Sequence, residues 1–229
     1  MNFAEKLKTL EDKIQAACIR VQRAPEEIQI LAVSKQQPTS AIEEAYEYGL
    51  RHFGENYVQE LSKKKEKEKH LKEIRWHLIG SLQSNKAKQA VTHADFFHAL
   101  DSKKLAVQLA KQVASLRLSK PWPVFIEVNI DEEPTKKGVT SALAEELAEF
   151  LEKQNFLALE GLMCIPKEQQ NPNEVRSAFH KLASLAHKIS SKSRKNLCLS
   201  MGMSNDFEAA IEEGSRWIRI GRLLFGSRQ

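Results

Sequence analysis

Two spacings of hydrophobic residues alternate along the chain, and each predicts a different element. From Phe3 to Val21 the apolar positions recur at steps of three and four, which is typical of an amphipathic helix. The segment Ile28–Lys35 is a short apolar run rich in β-branched residues, and it predicts a buried strand. Seven further strands are predicted after it: Arg51–Gly54, Arg75–Gly80, Phe96–Leu100, Pro123–Ile130, Leu157–Ile165, Asn196–Met201 and Ser215–Ile220.

Helical spacing separates each predicted strand from the next. Pro38 is placed to open one of these helices and Gly49 to end it. Strands that alternate with helices pair in parallel through right-handed crossovers. Eight such units in about 200 residues predict an α/β fold, a single (β/α)8 TIM barrel over residues 1–229 with an extra N-terminal helix. A doubly wound open sheet is the alternative architecture.

Lys35 stands at the end of the first predicted strand, directly before polar residues and Pro38. A buried strand has little reason to end in an ammonium group unless that amine is used or paired. With Leu31 and Val33 it shares the strand face predicted to point into the barrel. Active sites of such barrels lie at the C-terminal ends of the strands. Lys35 is therefore the leading functional candidate, and a lysine that only extends its head group to solvent is the alternative.

Polar residues also stand at inward positions of other predicted strands. His77 in the third strand is either a core histidine or a member of the site. In the fifth strand Glu127 belongs to a polar row that should face the barrel interior. Arg219 in the eighth strand shares a face with Trp217, and it either pairs with Glu127 or Asp131 or meets a ligand.

Two strand ends have the composition of a phosphate-binding turn. The seventh strand runs into Ser200–Ser204 (SMGMS), and the eighth runs into Gly221 and Arg222. Backbone N–H groups and hydroxyls at such turns bind phosphate, and barrels often use the loops after strands seven and eight. A lysine together with a phosphate site suggests an aldehyde phosphate held as a Schiff base.

Composition and charge narrow the class of protein. The net charge of +5 is too mild to predict nucleic-acid binding. No segment approaches the roughly 18 apolar residues of a membrane span, and the charged N-terminus does not fit a signal peptide. Three cysteines far apart in the sequence suit a reducing compartment, so a cytoplasmic location is expected. A lone barrel with a polar surface suggests a monomer, and the charged run Lys63–Lys69 is predicted to be a solvated helix face.

The histidines and glycines do not form a known metal or nucleotide motif. The seven histidines show neither an HExxH pattern nor a cluster with cysteine at ligand spacing, so no metal site is predicted. A GxGxxG turn after a strand, a Walker motif and a GxSxG elbow are missing as well.

Six segments in order resemble one known family. They are LAVSK, HFGENYVQE, WHLIGSLQSNK, EGLMCIP, LSMGMSNDFEAAIEEGS and IRIGRLLFG, and together they extend from about Ile28 to Gly226. The segments are similar to those of the pyridoxal phosphate homeostasis proteins. The resemblance implies a single barrel related to the N-terminal domain of alanine racemase, with pyridoxal 5′-phosphate (PLP) as its cofactor.

The same resemblance implies roles for residues at the strand ends. Lys35 matches the lysine that forms the Schiff base with PLP, and Asn56 in the GEN segment matches a residue that lines the cofactor. His77, in the segment WHLIG, is implied to lie near the site. Arg219 matches the arginine that faces the pyridine nitrogen.

The phosphate group is implied to bind at two turns. Ser200 and Ser204 match the phosphate-binding turn, and Gly221 with position 222 completes the phosphate cup. Position 222 is Arg222 in this chain, whereas the family usually has threonine there. The threonine hydroxyl is therefore missing, while the backbone N–H remains. The guanidinium of Arg222 either binds the phosphate or points outward.

The implied chemistry favours a carrier over an enzyme. PLP enzymes use the ring as an electron sink, which works best with a protonated ring nitrogen, and an arginine beside that nitrogen disfavours the proton. Racemases with such an arginine use a tyrosine from a C-terminal domain, which we expect to be absent because the sequence ends at Gln229. The expected function is PLP binding in vitamin B6 homeostasis, with PLP-dependent apoenzymes as recipients. A small PLP-dependent amino-acid racemase and an unliganded scaffold for protein contacts are the alternatives.

Two adjacent lysines follow the fifth strand. Lys136 and Lys137 lie in a loop of charged residues, where solvated side chains are the ordinary expectation. A second, transient landing site for the aldehyde is the other hypothesis for this pair.

Overall fold

The computed structural model describes residues 1–167, 172–193 and 195–226, and these form a closed barrel of eight strands in sequence order. All neighbouring strands pair in parallel, including the first with the last, where Gln29–Ala32 lies against Trp217–Ile220. The predicted barrel is thus confirmed, and the open sheet is excluded. The strands are β1 (Gln29–Val33), β2 (His52–Glu55), β3 (Arg75–Leu78), β4 (Phe96–Leu100), β5 (Trp122–Glu127), β6 (Leu157–Met163), β7 (Cys198–Ser200) and β8 (Trp217–Ile220).

Helices occupy the connections between the strands, as the spacing of apolar residues predicts. The extra N-terminal helix begins after Asn2, whose side chain accepts the backbone N–H of Glu5 in a capping box. Its buried face packs against the last two helices of the chain. The helices are α1 (Phe3–Arg20), α2 (Thr39–Glu47), α3 (Val58–Lys67), α4 (Ala87–His93), α5 (Lys103–Ser115), α6 (Ser141–Glu152), α7 (Pro172–Ser193), α8 (Phe207–Glu212) and α9 (Arg222–Phe225).

Several strands end earlier than the apolar runs predict, and this matters for the site. β1 ends at Val33, so Lys35 lies in the turn that follows, next to Gln36 with a φ of +61°. β5 ends at Glu127, because Asn129 starts a loop in which its side chain bonds both backbone groups of Glu133. The polar residues at these positions are therefore carried by turns at the barrel edge.

None of the helices in the described ranges is both long enough and apolar enough to cross a membrane. The longest of them, α7, carries Glu174 in its first turn and Lys192 in its last. Apolar side chains instead line the space between helices and barrel, as Phe53, Phe97 and Phe179 do. This packing leaves the strand ends as the place where polar groups converge.

Candidate functional site

The carboxyl ends of β1, β7 and β8 meet at one edge of the barrel. Leu31 lies opposite Arg219 in the β1–β8 ladder, so the turn with Lys35 adjoins the turn with Gly221. A Cβ on Gly221 would lie 3.4 Å from the carbonyl oxygen of Val33. The backbone N–H of Arg219 donates to the carbonyl of Gly202 at 2.9 Å, which brings the turn after β7 to the same edge.

The turn after β7 requires a glycine. Gly202 has a φ of +92°, and a Cβ there would lie 2.5 Å from the Cβ of Ala210. Only glycine adopts this backbone conformation without strain in so tight a space. Ser204 follows it as a half-buried residue, and the N–H of Met203 donates to Asp206 at 2.5 Å. The SMGMS segment is therefore a fixed turn, as its sequence predicts.

Helix α3 holds the backbone on both sides of Lys35. Lys64 donates to the carbonyl of Ser34 at 2.7 Å and to the carboxylate of Glu60 at 2.7 Å. Glu60 also accepts the backbone N–H of Gln36 at 2.6 Å. We call Lys64 and Glu60 the α3 clamp. Because Ser34 and Gln36 flank Lys35, the clamp fixes the turn from which the Lys35 side chain extends.

The prediction that residues 63–69 form a solvated helix face is wrong for Lys64 and Glu68, which are both buried. The side chain of Lys64 is 8% exposed and contacts Glu55 at 2.9 Å as well as Glu60. Val58, Leu61, Lys64 and Glu68 are the buried positions of this segment, spaced by three, three and four residues. The apolar spacing therefore continues into the charged run, and this was the signal that could have identified Lys64.

Glu55, at the end of β2, is the buried partner of the clamp. One carboxylate oxygen accepts from the Ser34 hydroxyl at 2.6 Å and from Lys64 at 2.9 Å. The other oxygen is buried without a hydrogen-bond partner among the described residues. Burial raises the pKa of Glu55 to about 7, although the charge of Lys64 acts in the opposite direction.

Asn56 is positioned by a close approach of the chain after β3. A Cβ on Gly80 would lie 2.3 Å from the carbonyl oxygen of Asn56, so only glycine fits there. Asn56 is half-buried at the C-terminal end of β2, next to the Glu55 site. It therefore lies on the barrel edge where the sequence predicts it.

Arg219 is buried against backbone carbonyls. Its guanidinium donates to the carbonyl of Ser200 at 2.6 Å, to the Ser200 hydroxyl at 3.1 Å and to the carbonyl of Cys164 at 2.8 Å. Burial lowers the pKa of Arg219. Within the described residues it forms no ion pair with Glu127 or Asp131, so the alternative interpretation of Arg219 as half of such a pair is wrong.

His77 and Ser200 lie inside the barrel, below the edge that carries Lys35. His77 is fully buried and its ring stacks on Phe96 with centroids 4.4 Å apart. Its two ring nitrogens lie 2.9 Å from His52 and 2.8 Å from His98. The Ser200 hydroxyl is fully buried as well, between His98 and Arg219. The sequence did not single out His52 or His98 because their roles depend on contacts between separate strands.

Three basic residues near this edge are differently placed. Arg222 is exposed, as the first residue of α9. Lys136 donates to the carbonyl of Ile165 at 3.1 Å and lies 3.6 Å from Asp131, so it ties the loop after β5 to the end of β6. Lys137 is exposed beside it. A role for Lys136 or Lys137 as a second, transient attachment site for the aldehyde stays a prediction.

Glu127 is the last residue of β5 and lies among the polar residues at the barrel edge. It is 7% exposed, and burial raises its pKa to about 7, as does the neighbouring charge of Asp101. Arg219 and Lys137 act in the opposite direction but do not cancel the burial. The folded protein therefore retains a proton on Glu127 that the unfolded chain loses at lower pH.

We expect Glu127 to lower the stability of the protein as the pH rises from about 4.5 to about 7. Across this window the folded state binds more protons than the unfolded state, so the free energy of unfolding falls. Glu127→Gln copies the protonated form and should gain up to about 3 kcal/mol relative to the native chain between pH 4 and pH 8. Urea unfolding at both pH values measures this, with the exposed Glu146→Gln as control. If the difference in the free energy of unfolding between Glu127→Gln and the native chain were the same at both pH values, the raised pKa of Glu127 would be contradicted.

One group of side chains has the spacing of a metal site, which no sequence motif revealed. Glu43, Glu68 and His70 place one ligand atom each within 4.8 Å of one another. Glu43 lies on α2, while Glu68 and His70 follow α3, so the group belongs to the outer helices. It takes no part in the strand-end site.

Comparison with known proteins relates nearly the whole chain to one family. The family model for the N-terminal domain of alanine racemase matches residues 7–229. A pyridoxal phosphate homeostasis protein of Aquifex aeolicus is 43% identical over 231 residues, which cover 100% of each chain. A protein of the same name from Escherichia coli (strain K12) is 40% identical over 233 residues, covering 99% of this chain and 97% of the relative.

A solved structure has the same barrel. PipY of Synechococcus elongatus PCC7942, determined with PLP bound, is 36% identical and matches with a TM-score of 0.86. The match covers 98% of this chain and 100% of PipY. The similarity thus concerns the entire barrel rather than a single motif.

Proposed function

The chain belongs to the family of pyridoxal phosphate homeostasis proteins, with the barrel of the alanine racemase N-terminal domain, and we propose that it binds PLP covalently on Lys35. One observation supports this most directly. The turns that carry Lys35, Gly202 and Gly221 meet at one barrel edge, with the Arg219 side chain buried beneath them.

The chemistry of this edge fits the three functional groups of PLP. Lys35 provides an amine for the aldehyde, and Nζ would replace the carbonyl oxygen, which leaves as water. The turns after β7 and β8 contain Gly202 and Gly221, and backbone N–H groups in turns of this kind bind phosphate. Arg219 provides a cation for the pyridine nitrogen. Since the Ser200 hydroxyl is engaged by Arg219 and His98, we expect Ser204 and the backbone to hold the phosphate.

The role we propose is that of a carrier in intracellular PLP homeostasis. Bound PLP supplies a reactive aldehyde on an electron-withdrawing ring. The positive charge of Arg219 would keep a proton off a ring nitrogen placed beside it, and so would weaken electron withdrawal. The alternative is a small PLP-dependent amino-acid racemase. PLP-dependent apoenzymes are the recipients we infer for the released cofactor.

Covalent capture tests this function. Purified protein is incubated with PLP, reduced with borohydride and digested, and peptides are identified by mass spectrometry. We expect one dominant adduct on the peptide with Lys35. Adducts spread over many surface lysines, or a dominant adduct on Lys136 or Lys137, would contradict the proposal.

A second measurement separates the carrier from the enzyme. Amino acids are incubated with the PLP-loaded protein in deuterated water, and exchange of the α-proton is followed by NMR. We expect no sustained exchange above that of free PLP. Catalytic turnover of any amino acid would favour the racemase instead.

A further inference from the structure

Three histidines form a continuous series of hydrogen bonds inside the barrel, which we call the histidine chain. His52 Nδ1 lies 2.9 Å from His77 Nε2, and His77 Nδ1 lies 2.8 Å from His98 Nε2. His98 Nδ1 then lies 3.1 Å from the Ser200 hydroxyl, which itself lies 3.1 Å from the Arg219 guanidinium. The series thus crosses the barrel from the first residue of β2 to the buried arginine on β8.

The inner rings of the histidine chain are neutral. His77 and His98 are fully buried, and burial lowers the pKa of each ring well below its ordinary value. The charge of Arg219 lowers the pKa of His98 further. A neutral imidazole carries one N–H donor and one acceptor nitrogen. Hydrogen bonds along a series of neutral rings must therefore all run in one direction.

Arg219 sets that direction. A guanidinium only donates, so the Ser200 oxygen accepts from it. Within the described residues the hydroxyl proton of Ser200 has one acceptor, His98 Nδ1. His98 then carries its proton on Nε2 and donates to His77, which donates to His52 in the same way. All three rings are Nε2–H tautomers, and the series ends at the half-buried His52.

The opposite direction leaves a buried donor without a partner. If His98 donated to Ser200, the serine proton would have no acceptor among the described residues. A buried hydroxyl without an acceptor costs free energy. The rings also cannot easily rotate to exchange their nitrogens, because His77 stacks on Phe96 and His98 stacks on Phe125 at 4.2 Å. The contacts therefore select one proton arrangement.

We propose that His52, His77 and His98 are positioning residues for Arg219. By accepting the Ser200 proton, the histidine chain turns the lone pairs of Ser200 toward the guanidinium and holds Arg219 in place. This inference rests on the proposed function only for the claim that Arg219 faces the PLP ring. The proton arrangement itself exists without the cofactor and is measured separately.

Nitrogen NMR of the PLP-free protein, with ¹⁵N-labelled histidine, tests the arrangement. We expect three neutral Nε2–H rings at pH 7 for the histidine chain, assigned by comparison with single variants. A Nδ1–H tautomer at His98, or a charged ring at His77, would overturn the proposal.

Two variants test whether the rings act together. His77→Phe keeps the aromatic stack but removes the acceptor of His98, so His98 should lose its fixed tautomer and populate both forms. His52→Phe removes the acceptor of His77, so His77 should likewise populate both tautomers. Because His52 is only half-buried, this variant disturbs the fold less and serves if His77→Phe does not fold. His187→Phe, on the exposed face of α7, is the control and should leave all three rings unchanged. Unchanged tautomers in both variants would overturn the coupling.

The PLP-loaded protein provides the last measurement. If the histidine chain positions Arg219, His52→Phe should shift the visible absorbance of bound PLP and the pH profile of that absorbance. The variant should also weaken PLP retention about fivefold, which is the factor that one hydrogen bond supplies. His187→Phe should change neither. An unshifted spectrum with unaltered retention would overturn the positioning role. If native protein bound no PLP at Lys35, the proposed function would fail, while the tautomer result would stand.

Discussion

Lys35→Ala is expected to abolish covalent retention of PLP. Without the amine the aldehyde has no nucleophile in the turn after β1, and borohydride should trap no adduct at the barrel edge. Reversible binding through the turns after β7 and β8 should remain, at lower affinity, because their glycines and Ser204 are unchanged. Intact-mass spectrometry after reduction measures the loss, and equilibrium dialysis measures the remaining affinity.

The control for this variant is Lys88→Ala, an exposed lysine of α4. It should retain one PLP per chain after reduction, like the native protein. Circular dichroism of both variants verifies that the barrel is folded. If Lys35→Ala retained PLP covalently as well as the control, another lysine would be the attachment site and the central proposal would fail.

The architecture could be predicted from hydrophobic spacing because each strand–helix unit carries its own signal. The run at Ile28–Lys35 and the helical spacing from Phe3 to Val21 are both local patterns. Eight repeats of this alternation leave few topologies that obey the crossover rule. Strand ends were less predictable: β1 ends two residues before Lys35, where Lys64 and Glu60 of α3 bond the backbone of Ser34 and Gln36.

The networks around the site could not be predicted in the same way. His52, His77 and His98 stand on three strands, and only the barrel register brings their nitrogens within 3 Å. Lys64 lies in a run of similar charged residues, where composition predicts solvent exposure. Its burial follows from helical spacing combined with a partner, Glu55, nine residues earlier in the chain.

Two separate networks therefore support the barrel edge. The α3 clamp holds the turn with Lys35 through the backbone of Ser34 and Gln36. The histidine chain supports Arg219 from inside the barrel through Ser200. A carrier that binds an aldehyde and a pyridine ring at once needs both Lys35 and Arg219 at fixed positions, since a small displacement of either weakens capture.

The α3 clamp leads to the second large expected effect. Lys64→Met keeps most of the side-chain volume but removes the cation between Glu55 and Glu60. Removing one partner of a buried ion pair costs about 3–5 kcal/mol, because the group left behind stays buried without its partner, whether charged or protonated. Urea unfolding at pH 7 should show this loss. Lys63→Met, the exposed neighbour on the same helix, should change the free energy of unfolding by less than about 0.5 kcal/mol.

Glu55 determines how the loss depends on pH. Its pKa is already about 7 beside Lys64, and the lysine lowers it, so without Lys64 the carboxyl should stay protonated to higher pH. The stability deficit of Lys64→Met should therefore grow as the pH rises from 6 to 8 and shrink when Glu55→Gln is added.

The same variant, Lys64→Met, should also slow covalent PLP capture by about tenfold or more, because the turn with Lys35 loses its anchor at Ser34. A stable Lys64→Met protein with native capture would show that the clamp does not position Lys35.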